Sequence, residues 1–398
     1  MKAEFKLDKI ADIWNNFIWE YKFCSRKIRF DDDAKTNYFG DILGYFSDTF
    51  EIVFSEKREF KNYSDKFSFT ISFLQAIYVQ QDFIQELLDI FKTGKNKGHL
   101  KEDENYYINR EIRNELIGHP IRKTGIPTDK LISSSCDYCD NTISKPKKKS
   151  VLLSSTLFSY QSKNDEIQYL IYHRDNNFEY ESKTFNISEI QKRHSAFLDK
   201  YFDLILEKLK VILTDYSTEL TKVESVIENN KFDTVLNLVQ LYFEAFFDSD
   251  YIYKRELLED IYKKKEEHSR YQNLIDRFYD DLKKSLKETK SSIEDIFNRK
   301  PINKSENLEK PEIKIKFISP QSTDLIKEKR KETYHYELGK LYTKRNPRDF
   351  DFFSRFLISK CQNNDLVISE LEHMRGNIIN EIEYYTSLRL IYKTLKEE

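Results

Sequence analysis

The stretch FTISFLQAIYVQQDFIQELLDIF, residues 69–91, decides the fold. Its apolar positions Phe73, Leu74, Ile77, Phe83, Ile84, Leu87, Leu88 and Phe91 recur at spacings that put most of them on one face of a helix. Gly94 stands where a C-terminal cap belongs, and Lys95 to His99 reads as a polar loop. Upstream, Ile10, Ile13, Trp14, Phe17, Ile18 and Tyr21 predict another amphipathic helix, and Ile42, Leu43, Tyr45, Phe46 and Phe50 a further one. Downstream, a helix begins near Asn105 and stops at Gly118-His119-Pro120. The first 120 or so residues therefore read as a bundle of four or five helices.

The composition agrees with a mainly α protein. The chain has 398 residues with 30 Phe and 26 Tyr, enough apolar surface for more than one core, while 8 Gly and 7 Pro are too few for an all-β sandwich. After Pro120 the chain turns polar, through Ser133-Ser134-Ser135 to Lys145-Pro146-Lys147-Lys148-Lys149, and reads as a connector. Three β-like runs follow, Val151 to Tyr160, Ile167 to His173 and Phe178 to Phe185, which predict a small antiparallel meander. Helical spacing returns at Ser188, a candidate N-cap followed by Glu189, continues through Phe197, Tyr201, Leu204, Ile205 and Ile212, and recurs from Phe232 to Phe247. The expected organisation is a helical bundle over 1–135, a basic linker over 136–150 and a β meander over 151–187. A long-helix domain over 188–300, a proline-containing linker over 301–320 and C-terminal helices over 321–398 complete it.

The residues that point to chemistry are Arg113-Asn114-Glu115-Leu116-Ile117-Gly118-His119. Ile108, Ile112 and Leu116 form the buried stripe of this helix, which leaves Arg113 and Asn114 at its edge. An unbroken helix would carry His119 about 9 Å along the axis from Arg113. A left-handed cap at Gly118, with Pro120 blocking continuation, is expected to fold the chain back and set His119 beside Arg113. An imidazole that titrates near neutrality can move a proton on or off a ribose 2′-hydroxyl or a leaving 5′-oxygen. A permanent guanidinium can hold the phosphorane oxygens, and neither role needs a metal.

Arg113-Asn114 with His119 on the late helix of an N-terminal bundle resembles the Arg-x4-6-His motif of the HEPN superfamily. The resemblance covers about the first 120 residues and implies a metal-independent endoribonuclease that works as a homodimer, with two motifs facing each other across a composite cleft. It also implies a place in bacterial antiphage defence or a toxin system. Arg113 would stabilise the transition state, Asn114 would orient groups in the cleft, and His119 would be the acid/base. Where modification-regulated toxins carry Tyr two residues after the His, this chain has Ile121, so a modifying partner is not implied. RNA is the expected partner, met by a local basic surplus of seven Lys/Arg against three Asp between Ile121 and Ser150; Arg122, Lys123, Lys147, Lys148 and Lys149 are its candidate contacts. Arg330 and His335 also match the bare spacing, but they lie in a charged run that reads as a solvated face.

Other chemistries find little support. No Walker loop, G-x-G-x-x-G, G-x-S-x-G or H-E-x-x-H occurs, and Cys136/Cys139 is only half of a zinc spacing, so neither a cofactor nor a metal is expected. Four cysteines and no membrane-length apolar run predict a cytoplasmic protein. The rival expectation is a non-enzymatic helical protein that binds or senses a partner protein of a defence system through its aromatic-rich helices.

Overall fold

The computed structural model describes residues 2–29, 38–55, 60–118, 121–124, 151–157, 164–173, 179–248, 253–298, 334–343, 345–361 and 364–397. The architecture is mainly helical, with one small antiparallel sheet and a larger C-terminal helical part. Two compact units emerge, residues 1–18 with 24–212 and residues 19–23 with 213–398. This division departs from the segments read off composition. The sheet belongs with the N-terminal helices, and the border falls within a long helix rather than at the basic connector.

In the first unit, α1 (Lys2–Ile13) runs into a π-helical turn, Trp14–Ile18; after a short α2 (Lys22–Ser25), whose first two residues belong to the second unit, comes α3 (Tyr38–Phe54). The decisive stretch lies in α4 (Tyr63–Ile90), whose first turn is capped by the Asn62 side chain accepting from the Asp65 amide at 2.9 Å. Its Phe73, Leu74, Ile77, Ile84, Leu87 and Leu88 are all buried. The helix ends when Lys92 N–H bonds the Asp89 carbonyl (3.0 Å) and Thr93 N–H the Leu88 carbonyl (3.1 Å), the double closure of a Schellman motif. Gly94 is left-handed as expected (φ 77°), but the residue that closes the helix is Lys92, at φ 49°.

Two short helices, α5 (Lys97–Lys101) and α6 (Glu104–Arg113), lead to the sheet. Its strands β1 (Ile121–Thr124), β2 (Val151–Leu157), β3 (Glu166–His173) and β4 (Tyr180–Asn186) lie in sequence order, all neighbours antiparallel. The expected meander is there with a fourth strand that composition had assigned to the connector. Ile121-Arg122-Lys123-Thr124 is too short and too charged to show alternation alone; pairing Ile121 with Ser154 and Thr124 with Val151 supplies the missing hydrogen bonds. Ile167, Tyr169 and Ile171 alternate along β3 and are buried, so one face of the sheet covers the helices.

The chain then enters α7 (Ile187–Val226). Ser188 is not its cap. The helix starts one residue earlier, and Asp165, just before β3, accepts from Ser188 N (3.2 Å) and Ser188 Oγ (2.7 Å) while its carbonyl takes Ile187 N–H (2.9 Å). A cap supplied from a distant turn leaves no local signature. Lys6 joins α1 to α7 through Asp199 (2.9 Å) and Asp203 (2.8 Å).

The second unit takes the rest of α7, then α8 (Phe232–Tyr242), α9 (Ala245–Asp248), α10 (Arg255–Lys263) and α11 (Ser269–Asn298). It closes with α12 (His335–Thr343), α13 (Pro347–Lys360), α14 (Asp365–Gly376) and α15 (Glu381–Glu397). Leu341, Leu357, Val367, Met374, Tyr384 and Ile391 form the core of these last four helices. The linker expected over 301–320 and Arg330 lie outside the described residues. Among the described residues, no helix is long and apolar enough to cross a membrane.

Two consequences are measurable. A lysine in the left-handed region costs roughly 1 kcal/mol relative to glycine. Lys92→Gly is therefore expected to raise the urea midpoint of the first unit; a lowered midpoint would mean that the Lys92 side chain matters more than its backbone. His194 is fully buried, its Nε2–H donating to Gln80 Oε1 at 2.7 Å, and burial pushes its pKa down to about 3. The unfolded chain takes up this proton near pH 6.5 and the folded chain does not, so stability falls as pH drops below 6.5, by about 2 kcal/mol at pH 5. Urea unfolding at pH 7.5 and pH 5 should show that much more acid loss in wild type than in His194→Gln; equal losses would exonerate His194.

Candidate functional site

The site grows from α6 and its continuation. Asp103 caps α6 by accepting from Asn105 N (2.9 Å), and the same carboxylate receives Lys200 (2.7 Å) and the Tyr201 hydroxyl (3.2 Å) of α7. Ile112 is buried, with Ile108 and Leu116 packed around the same cluster, as the stripe predicts. Asn109 Nδ2 donates to the Ile190 carbonyl at 3.0 Å and pins the helix from behind.

At Asn114 the helix widens instead of ending. Asn114–Gly118 forms a π-helical turn, a feature that often marks functional sites because the extra residue re-aims the side chains around it. Gly118 closes this turn without the expected left-handed backbone; among the described glycines only Gly94 has positive φ. Its use is proximity. A Cβ at Gly118 would overlap Arg113 Nη1 and lie 3.4 Å from Asn114 Oδ1, so the guanidinium occupies the space that any side chain would fill.

Three neighbours orient Arg113. Its Nε and Nη2 donate to Gln75 Oε1 on α4 at 3.2 and 3.0 Å, its Nη1 donates to Asn114 Oδ1 at 3.3 Å, and its guanidinium carbon sits 4.0 Å from the Tyr78 ring centroid. One turn back, Arg110 lies 3.9 Å from the same ring but pairs with Asp82 at 2.8 Å. Asn114 Nδ2 donates to Glu111 Oε1 at 3.2 Å. Glu115 faces the sheet, accepting from the buried Tyr169 hydroxyl at 2.5 Å with Lys183 Nζ 3.7 Å away.

Arg113 and Asn114, expected to act together, are in contact. His119 lies outside the described residues, as do Lys147, Lys148, Lys149 and the Cys136/Cys139 pair. Arg122 and Lys123 fall in β1. Among the described residues no group of three His, Cys, Asp or Glu side chains is arranged to hold a metal ion. The residues that sequence reasoning missed are Gln75, Tyr78 and Glu115. For the first two a signal existed: Gln75, Tyr78 and Asp82 share one face of α4 at spacings of three and four.

The arrangement presents a partly buried, oriented cation. Among the described residues Arg113 pairs with no carboxylate; its partners are a carboxamide, a second carboxamide and an aromatic face. Such a group is suited to an anion with several oxygens. Because Gly118→Ala would meet only the end of a flexible side chain, the fold is expected to hold within about 1 kcal/mol while Arg113 is displaced. Affinity for pyrophosphate should then fall about tenfold. A large loss of stability with affinity retained would show that Arg113 does not yield.

No family model, curated protein or solved structure matches the chain.

Proposed function

We propose that the first unit is a metal-independent endoribonuclease of the HEPN type. The ribose 2′-oxygen attacks the adjacent phosphorus, the bond from phosphorus to the 5′-oxygen breaks, and the products carry a 2′,3′-cyclic phosphate and a free 5′-hydroxyl. Arg113 holds the non-bridging oxygens as charge develops on them. Asn114 orients Arg113, and His119, next in the chain after Gly118, moves the proton between the 2′-hydroxyl and the leaving oxygen. Arg122, Lys123 and Lys147 to Lys149 contribute phosphate contacts, and a second copy of the chain completes the cleft. A role in bacterial defence or a toxin system goes with this reading.

The observation that carries it is the charge of Arg113. Placing a cation in a half-buried site costs free energy that an ion pair would offset. Here neutral groups fix its direction and leave its charge for a ligand.

The alternative, an interaction or sensor protein, draws on the second unit. Tyr336, Phe352 and Phe356 on α12 and α13 are 64%, 56% and 48% exposed, a cluster of aromatic surface suited to a protein partner.

The deciding experiment incubates wild type, Arg113→Ala and His119→Ala with total RNA and tRNA in excess EDTA and maps new ends. Wild type is expected to leave 2′,3′-cyclic phosphates, with either variant slower by at least ~100-fold. Undiminished cleavage by His119→Ala would remove that residue from the mechanism, and no Arg113-dependent cleavage would favour the interaction protein.

A further inference from the structure

Two arginines three residues apart, Arg110 and Arg113, reach from α6 to one face of α4 and lie against the same Tyr78 ring at 3.9 and 4.0 Å. Their partners on α4 differ in charge. Arg110 meets the carboxylate of Asp82 at 2.8 Å, whereas Arg113 meets the carboxamide of Gln75 at 3.0 and 3.2 Å. The carboxamide accepts two of the guanidinium hydrogens in a geometry that a carboxylate would match with a stronger bond. Position 82 thus supplies a counter-charge to its arginine, and position 75 does not.

From this contrast we infer that Gln75 is a positioning residue whose neutrality sets the anion affinity of the site: it aims Arg113 without cancelling its charge. The inference rests on the reading of Arg113 as the phosphate-holding group. Gln75 Oε1 accepts both the Nε and the Nη2 hydrogen bond of Arg113, a residue 38 positions away in sequence. The Glu111 carboxylate reaches the guanidinium through the intervening Asn114 carboxamide, one hydrogen bond removed. Gly118, having no Cβ, leaves room for the guanidinium. The hydrogen bonds of the guanidinium to the described residues thus come from neutral acceptors, and Glu111 is linked to it only through Asn114.

The ligand class that follows is a phosphodiester whose non-bridging oxygens complete the coordination left by Gln75, Asn114 and Tyr78. Exchange of one oxygen-bearing acceptor for an isosteric carboxylate would supply the counter-charge internally and leave the phosphate nothing to neutralise.

The test uses the full chain and a 2′-O-methyl oligonucleotide, which binds but has no 2′-hydroxyl to react, followed by fluorescence anisotropy over a range of salt. Wild type, Arg113→Ala, Gln75→Glu and Gln75→Leu are compared, with thermal melting of each. Gln75→Glu is expected to melt no lower than wild type, to lose ~100-fold in affinity and to lose about one unit of salt slope, since one cation no longer releases a counterion. Gln75→Leu, which removes aim but not charge, should lose about tenfold with its salt slope unchanged. Wild-type affinity in Gln75→Glu, or equal losses with equal slopes in both variants, would overturn the inference while leaving the ribonuclease reading standing. Binding by wild type that does not depend on Arg113 would overturn both.

Discussion

Gln80 and Gln81, adjacent on α4 and wholly buried, set the constraint on which the first unit depends. A polar group left unsatisfied in a core costs about 1–3 kcal/mol, so the partners that these two side chains do find fix the neighbouring helices. Gln80 donates to Thr49 Oγ1 on α3 at 2.8 Å and accepts from His194 on α7 at 2.7 Å. Gln81 donates to the Tyr106 carbonyl on α6 at 3.0 Å. Apolar packing tolerates sliding and rotation; these bonds do not. Phe54 and Phe197 stack on the His194 ring at 6.0 and 5.8 Å, which keeps the imidazole dry and neutral. The register of α6 on α4 follows, and with it the meeting of Arg113 with Gln75 and of Arg110 with Asp82.

The sheet extends the same logic to the motif. Leu116, in the π-helical turn, packs with Tyr169, Ile171 and Phe185, while the Tyr169 hydroxyl holds Glu115. Residues more than fifty positions downstream therefore hold the turn that follows Arg113. Asp165 caps α7 from the approach to β3, so sheet, cap and motif turn form one connected arrangement within the unit. The site belongs to helices and sheet together.

The second unit has its own polar ties. Arg270 donates to Glu370 at 2.6 Å, and Tyr271 and His373 both engage Glu383, His373 at 2.8 Å. Burial alone would raise the Glu383 pKa, but the hydrogen bonds from Tyr271 and His373 with the Arg270 charge outweigh it and hold the carboxyl below its usual value. These contacts join α11, α14 and α15 across long sequence separations. Phe232, Phe246 and Tyr253 each pack edge-on against Phe278, an aromatic cluster of the same unit.

What the amino-acid sequence determined by itself is what depends on near neighbours. The stripe of Phe73, Leu74, Ile77, Ile84, Leu87 and Leu88 reports α4, and Ile108, Ile112 and Leu116 report the motif helix, because burial of one helix face is written in spacings of three and four. The three main strands show by their residue types, and Arg113 beside Asn114 is visible as a pair. Tertiary structure alone decided the rest. Strand β1 exists because β2 pairs with it, Asp165 displaces Ser188 as the cap, and Lys92 closes α4 ahead of Gly94. The choice of Gln75 and Tyr78 as the cradle of Arg113 belongs here as well. Each of these joins groups whose fit depends on direction and distance in space, and no periodicity along one segment encodes the geometry of another.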